Sequence, residues 1–239
     1  MIAVDPADQV DRGGPGKVLL TGGGGDIGRS VQQLLHESGD EVVRLSHSTD
    51  SAPDIVTDFR NDAALASAIA SITGPIRGVV LCHGVVERGD LRSLRPADWR
   101  RVVDINLTSV FTILRSLEPR LSQIQSIVVV SSTAGLDRSR NGGPHYTASK
   151  AALNGLVRHL ARDLGPRGTR INAVCPGHIE GRMTDRLNTP ETRAAGIANI
   201  PLSRAGRPAE VARVIRYLLS EQASYVTGAM ISVAGGTHR

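Results

Sequence analysis

Short aliphatic runs bounded by turn residues alternate with longer stretches of helical periodicity along almost the whole chain, and no other feature narrows the fold as much. The run Ile127-Val128-Val129-Val130 is apolar at every position, so a strand built from it needs cover on both faces. Helices lying over a parallel sheet supply that cover, which makes the alternation a βαβα pattern. The runs predict strands over 17–21, 41–46, 54–57, 78–82, 126–131, 170–174 and 229–233, separated by helices over 27–38, 61–72, 98–120, 145–164 and 208–220. Pro96-Ala97-Asp98 and Arg207-Pro208 open two of these helices, and Gly165-Pro166 closes another. One continuous alternation implies one α/β domain over 17–239, a doubly wound, seven-stranded parallel sheet, preceded by a flexible lead-in over 1–16. A single connection breaks the rhythm: His47 to Pro53 is all that separates the second and third strands, whereas a helical crossover needs ~10 residues or more. The second crossover helix is therefore expected to be shortened or absent.

With 3% aromatic residues against 40% hydrophobic, the core has to be made from Val, Ile, Leu and Ala, and 26 Gly suit close packing and backbone approach to a ligand. The net charge of +5 is carried by 26 Arg and only two Lys, Lys17 and Lys150, without the basic run that marks a nucleic-acid tail. These arginines read as scattered over helix surfaces, with at most a role in steering an anionic cofactor or an acidic carrier protein. Cys82 and Cys175 lie in apolar contexts, with no CxxC and no paired His spacing, so a reducing cytosol and no transition-metal site are expected. The first sixteen residues lack the basic and apolar regions of a signal peptide, and no apolar stretch approaches the ~18 residues of a membrane span. The expectation is a soluble cytoplasmic protein with neither nucleic acid nor membrane as partner.

Thr21-Gly22-Gly23-Gly24-Gly25-Asp26-Ile27-Gly28 follows a predicted strand and opens a predicted helix. In that context glycine permits the tight strand-to-helix turn and lets N–H groups approach a pyrophosphate at the helix N-terminus, as in Rossmann-type dinucleotide sites. Dinucleotide preference should be written at the end of the second strand, where a carboxylate would favour the 2′-hydroxyl of NAD. Ser46, His47 and Ser48 offer none, which leans the reading toward NADP(H), with NAD possible; an ordinary polar turn is the plain alternative. Asp58, after the third strand, either meets the adenine or caps the helix that starts near Asn61.

Tyr146-Thr147-Ala148-Ser149-Lys150 puts a tyrosine and one of the two lysines four apart in a helical segment, so both face the same way. An unperturbed phenol has a pKa of ~10, and an adjacent ammonium is expected to lower it, making Tyr146 a general acid for a carbonyl oxygen. The strand 126–131 ends in Ser131-Ser132 at the carboxyl edge of the sheet, where a serine can donate to a developing alkoxide. Asn106 sits in a helical pattern that Asn disfavours, which marks either a functional position or a bent or solvated one.

These pieces, with Asn106 in its NLTSVF setting, Pro176-Gly177, the segment Pro201 to Pro208, Tyr225-Val226-Thr227-Gly228 and Val233-Ala234-Gly235-Gly236, resemble the short-chain dehydrogenase/reductase family from about Lys17 to Gly236. The nearest branch is that of ketoreductases such as the 3-oxoacyl-carrier-protein reductases. The resemblance implies an oxidoreductase interconverting a ketone and a secondary alcohol, on a small molecule that can be carrier-linked, with hydride from NADPH. It implies a tetrad in which Tyr146 delivers the proton, Ser132 holds the substrate oxygen, Lys150 lowers the Tyr146 pKa and binds the nicotinamide ribose, and Asn106 orders a water leading to solvent. Phe59, Cys82, His83, Gly84, Pro176, Gly177 and Ile179 are the further cofactor contacts it implies, 180–200 is a substrate lid, and a homotetramer or homodimer forms through the helices over 98–120 and 145–164 and the last strand.

Four departures from the family pattern carry consequences. Asp26 replaces the second glycine of the loop, where its carboxylate either caps the helix or weakens cofactor affinity. Cys82-His83-Gly84 replaces Asn-Ala-Gly, the Ser132–Tyr146 interval is one residue longer so that Thr133 is a rival to Ser132, and Gly181 replaces a threonine that contacts the carboxamide. Arg138, Arg140 and His145 flank the tetrad, either meeting an anionic group or merely solvated, and the small-residue face Ala148, Ala151, Ala152, Gly155 packs either on a partner or on the sheet. An NAD-dependent alcohol or sugar dehydrogenase, or a cofactor-sensing scaffold with reduced catalysis, is the alternative function.

Overall fold

The backbone, a computed structural model describing residues 16–47 and 54–237, is organised by strands β1 (Lys17–Thr21), β2 (Glu41–Ser46), β3 (Asp54–Val56), β4 (Gly78–Leu81), β5 (Ser126–Val130), β6 (Arg170–Pro176) and β7 (Met230–Val233). They form one seven-stranded sheet in the order β3-β2-β1-β4-β5-β6-β7, and every pairing is parallel. Around it lie α1 (Asp26–Glu37), α2 (Asp62–Ala70), α3 (Pro96–Val103), α4 (Ser109–Ser116), α5 (Pro144–Leu164), α6 (Arg182–Leu187), α7 (Pro190–Ala198) and α8 (Pro208–Leu219). The continuous apolar runs behave as the period of a strand requires. Val79 turns to a core shared with Leu65, Ile113 and Val157 of α2, α4 and α5. Val80, next in β4, turns to the opposite core with Val31 and Leu35 of α1 and Val211 and Ile215 of α8. Strand order reverses between β1 and β4, and the carboxyl ends on either side of that switch form the crevice in which open α/β sheets bind ligands.

β2 pairs in parallel with its neighbour β3, with Arg44 beside Asp54; Ser48 and the rest of 48–53, on which the expected loss of the second crossover helix falls, lie outside the described residues, as does the lead-in up to residue 15. The continuous helix expected over 98–120 is not present. After α3 comes a five-residue π-helical turn, Asp104–Thr108, then α4, then a 3-10 turn over Glu118–Gln123. A π turn inserts one residue into the helical ladder, and such turns recur at functional sites. Its cause here is visible: the Asn106 amide is committed to the main chain of Val85, and Ser109 Oγ donates to the Ile105 carbonyl at 2.7 Å.

Two short helices also stand where none was predicted, inside the 180–200 segment. Thr189 and Thr192 form a reciprocal capping box at the start of α7, with Pro190 in the first turn. The cap of α2 is Asn61, whose side chain accepts from the Ala64 N–H at 3.0 Å, so Asp58 is not the N-cap. On α5, Leu153, Asn154 and Val157 face the sheet while Ala151 and Ala152 are exposed, so the small-residue face turns outward. No helix among the described residues is long and apolar enough to cross a membrane.

Candidate active site

The glycine loop leaves β1 through Gly22, whose φ of +69° and close approach exclude a side chain: a Cβ there would stand 2.6 Å from the His83 nitrogen. Gly28 lets α1 press onto the loop, since its Cβ would fall 2.2 Å from the Gly22 carbonyl oxygen. Gly24 faces open space, and Gly25, the N-cap of α1, supplies no side-chain acceptor to the helix N-terminus. An open glycine edge beside an uncapped helix start fits the diphosphate of a dinucleotide. Asp26 does not cap the helix; its carboxylate instead pairs with Arg29 and Arg182.

At the end of β2, Ser46 is buried and His47 exposed. Arg44, two residues earlier on the same side of the strand, escaped the sequence reading. It is buried, donates to Gln32 Oε1 at 2.8 Å, and lays its stem against Gly23. A cation between Val43 and Leu45, in the apolar middle of the strand, was the signal. Asp58 is held by Arg60 through contacts of 3.1 and 2.9 Å, and the guanidinium's hydrogen bond keeps its carboxyl below the usual range. A cleft of about 790 Å³ opens here, lined by His47, Val56, Thr57, Asp58 and Arg60 among others.

His83, expected among the cofactor contacts, spends its ring on the protein. Its Nδ1 lies 2.6 Å from Thr21 Oγ1 and its Nε2 2.7 Å from Ser109 Oγ, and the ring stacks on Phe59 with centroids 4.3 Å apart. Because the Ser109 hydroxyl donates to Ile105, it accepts from Nε2–H, which leaves Nδ1 to accept from Thr21. Burial, reinforced by the Lys150 cation, pushes the imidazole down to about 3, so it is neutral. Phe59 is buried in the same core, and Cys82 is partly buried with its thiol pushed up to about 12 by burial.

The tetrad residues converge beyond this network. Asn106, fully buried in the π turn, accepts from the Val85 N–H at 2.8 Å and donates to the Val85 carbonyl at 2.9 Å and to Ser149 Oγ at 3.1 Å. Ser149 then donates to the Tyr146 carbonyl at 2.8 Å, tying the turn to α5. A Cβ on Gly84 would lie 3.2 Å from Asn106 Oδ1 and 3.4 Å from Lys150 Nζ, so both polar ends meet at this glycine. Lys150 Nζ donates to the Val130 carbonyl at 2.9 Å and stands 5.9 Å from the centre of the Tyr146 ring. Ser132 Oγ accepts from the Ala134 N–H at 3.1 Å, and the Ser132 side chain acts on the Tyr146 phenol, drawing its pKa down against the effect of burial.

The electrostatics correct one expectation. Burial raises the Tyr146 pKa, with the Ser132 side chain pulling the other way and less strongly. Desolvation outweighs an ammonium that is 5.9 Å from the ring and itself hydrogen-bonded to a carbonyl. Lys150 feels the same burial and falls to about 8. His145 is likewise not at the surface: it is wholly buried, with both ring nitrogens lacking a hydrogen-bond partner. Gly177 serves packing, since a Cβ there would meet Ala234 at 2.7 Å, and Ile179 is buried against Gly206. The segment 180–200 reaches back across the crevice, with Arg88 donating to the Leu187 carbonyl and Asn141 Nδ2 donating to Asn188 Oδ1 at 2.9 Å.

A Rossmann-type sheet with a glycine loop, a Ser-Tyr-Lys cluster at its carboxyl edge and a π-turn asparagine defines a nicotinamide-dependent oxidoreductase site. A short-chain dehydrogenase model described as enoyl-(acyl carrier protein) reductase matches residues 25–238. The chain is 34% identical to protein FixR of Bradyrhizobium diazoefficiens, over 96% of this chain and 89% of that one. It is 35% identical to an acetoacetyl-CoA reductase of Synechocystis, over 92% of this chain and 95% of that one. Among solved structures, a 3-oxoacyl-[acyl-carrier protein] reductase with bound NAD from Brucella melitensis superposes with a TM-score of 0.86 at 31% identity, covering 100% of this chain and 98% of that one. The chain belongs to the short-chain dehydrogenase/reductase family, whose members are enzymes acting on CH–OH groups. Within that family its similarity is to the ketoreductases.

Proposed function

We propose that the protein is an NADP(H)-dependent reductase interconverting a ketone and a secondary alcohol, with Tyr146 as general acid and base. The observation that carries this reading is the buried Lys150 ammonium 5.9 Å from the Tyr146 ring centre, with Ser132 acting on the same phenol, at the sheet edge next to the glycine loop. A bound nicotinamide supplies the hydride. Tyr146, which keeps its proton because it is buried, donates that proton to the carbonyl oxygen, while Ser132 donates a hydrogen bond to the same oxygen as charge develops on it. The Lys150 cation then stabilises the phenolate left behind, and Asn106 orders the route by which Tyr146 regains a proton. The glycine loop, Lys150 and the main chain at His83-Gly84 would hold the dinucleotide.

For the phosphate form of the cofactor, the support is local. Among the described residues the end of β2 itself carries no carboxylate, only Ser46 and His47, and the buried Arg44 lies on the same side as Ser46. The similarity to an acetoacetyl-CoA reductase and a 3-oxoacyl-carrier-protein reductase supports a thioester-linked β-keto substrate, covered by the 180–200 lid. Exposed Trp99 and Phe111, with the outward small-residue face of α5, support a homotetramer or homodimer. A cytoplasmic enzyme is the corresponding reading of location.

Tyr146→Phe tests the mechanism. Turnover of a ketone panel with NADPH should fall by about a hundredfold or more, with dinucleotide binding retained; undiminished turnover would refute the role. Tighter binding of NADH than of NADPH would refute the cofactor assignment.

A further inference from the structure

Asp26 and Gly181 depart from the family pattern at positions far apart in the sequence, and the fold brings them into contact. A Cβ at position 181 would lie 2.3 Å from Asp26 Oδ2, and Gly181 has a φ of +134°, so a side chain there is excluded by both space and backbone. The next residue completes the junction. Arg182 donates its main-chain N–H to Asp26 Oδ2 at 2.8 Å, its Nε lies 3.6 Å from Asp26 Oδ1, and its Nη2 donates to the Gly24 carbonyl at 2.5 Å. Arg29 approaches from α1, pairing with Asp26 and donating to the same Gly24 carbonyl at 2.6 Å.

The charge count reverses what Asp26 suggests on its own. A carboxylate at a phosphate loop should repel a dinucleotide, yet this one gathers two guanidiniums, leaving the loop with more positive than negative charge. The Arg182 side chain remains 61% exposed, and its five N–H donors exceed what Asp26 and Gly24 occupy. A planar, permanently charged fork is suited to phosphate oxygens.

We infer that Arg182 is a dinucleotide-binding residue carried to the phosphate loop by the lid, and that Asp26 is the positioning residue that holds it there. The inference rests on the dinucleotide reading of the glycine loop. It makes the root of the lid part of the cofactor site: when the Asp26–Arg182 junction is formed, α6 and the loop move as one piece, and Gly181 is the residue that lets them meet.

Fluorescence titration of NADPH and NADH against the full chain, at low and high KCl, tests it with wild type, Arg182→Ala, Arg182→Lys, Asp26→Asn and the double variant Asp26→Asn/Arg182→Ala. Each single loss should weaken binding by about threefold to tenfold. The double variant should bind no worse than Arg182→Ala, because Asp26 acts through Arg182. The salt dependence should be shallower without Arg182, and Arg182→Lys should be intermediate. In the cofactor-free protein, hydrogen exchange over 181–187 should quicken in Asp26→Asn, a readout independent of binding. Tighter binding by Asp26→Asn, or unchanged binding by Arg182→Ala while wild type binds, would overturn the inference and leave the dinucleotide reading standing. Failure of wild type to bind either dinucleotide would remove that reading and the inference with it.

Discussion

Two polar clusters flank the crevice, and they are built on opposite principles. Thr21, His83 and Ser109, and beside them Asn106 and Ser149, form two buried runs of neutral hydrogen bonds that meet only through the Ile105-Asn106 main chain, and in both donors find acceptors inside the protein. Asp26, Arg29 and Arg182 form a charged junction at the surface, with side chains 22%, 51% and 61% exposed. The buried runs fix the tetrad residues against one another, because a buried polar group without a partner is costly and alternatives are few. The exposed junction holds two elements together only as firmly as solvent-screened charges allow. The proposed catalytic residues thus sit beside contacts that resist change, and the 180–200 segment beside one that can open.

The largest effect should come from cutting a buried run. His83→Leu keeps bulk but takes one hydrogen bond from each of the Thr21 and Ser109 hydroxyls, which keep the Cys82 N–H and the Ile105 carbonyl as partners, and should destabilise the protein by about 1–3 kcal/mol in urea unfolding. Asp26→Ala should cost less than ~1 kcal/mol, and equal losses at the two positions would erase the contrast.

Acid should sharpen it further. His83 is neutral in the fold with a pKa of about 3 against 6.5 for the free side chain, so the unfolded chain binds more protons between those values. Its contribution is fully present above pH 6.5 and is lost as pH falls toward 3, by at most roughly 4 kcal/mol. His83→Asn should flatten unfolding midpoints across that window, and an unchanged slope would show that the ring is not held neutral. The smallest effect belongs to salt. Raising KCl from about 0.05 to 0.5 M shortens the screening length severalfold, which should quicken hydrogen exchange at 181–187 while leaving the amides of 105–109 unaffected.

The sheet was legible in the sequence because its strands are buried on both faces, and continuous aliphatic runs such as Ile127 to Val130 have few other uses. That Tyr146 and Lys150 share one face of α5 and that Ser132 follows a strand end was legible because both are local properties. The π turn was not, since a single inserted residue leaves helical periodicity nearly intact; the one sign was Asn106 in a place Asn disfavours. The Tyr146 pKa was misjudged because spacing reports that Lys150 is near but not how much water both have lost. His83 with Thr21, and Asp26 with Arg182, join residues 62 and 156 positions apart, beyond any local pattern. Asp26 and Gly181 each looked like a defect; their occurrence together was the readable sign of a contact.

The scarcity of lysine has a practical corollary. Lys17 is tied to Glu41 at 3.1 Å and to the Thr73 carbonyl at 2.7 Å, while Lys150, with a pKa of about 8, is substantially a free amine at that pH but walled in beside Gly84. An acylating reagent therefore meets two side-chain amines, of which the inner one is about half deprotonated near pH 8 and is buried. Mass spectrometry of the labelled chain would read the opening of the crevice directly, as one added acyl group on one known residue.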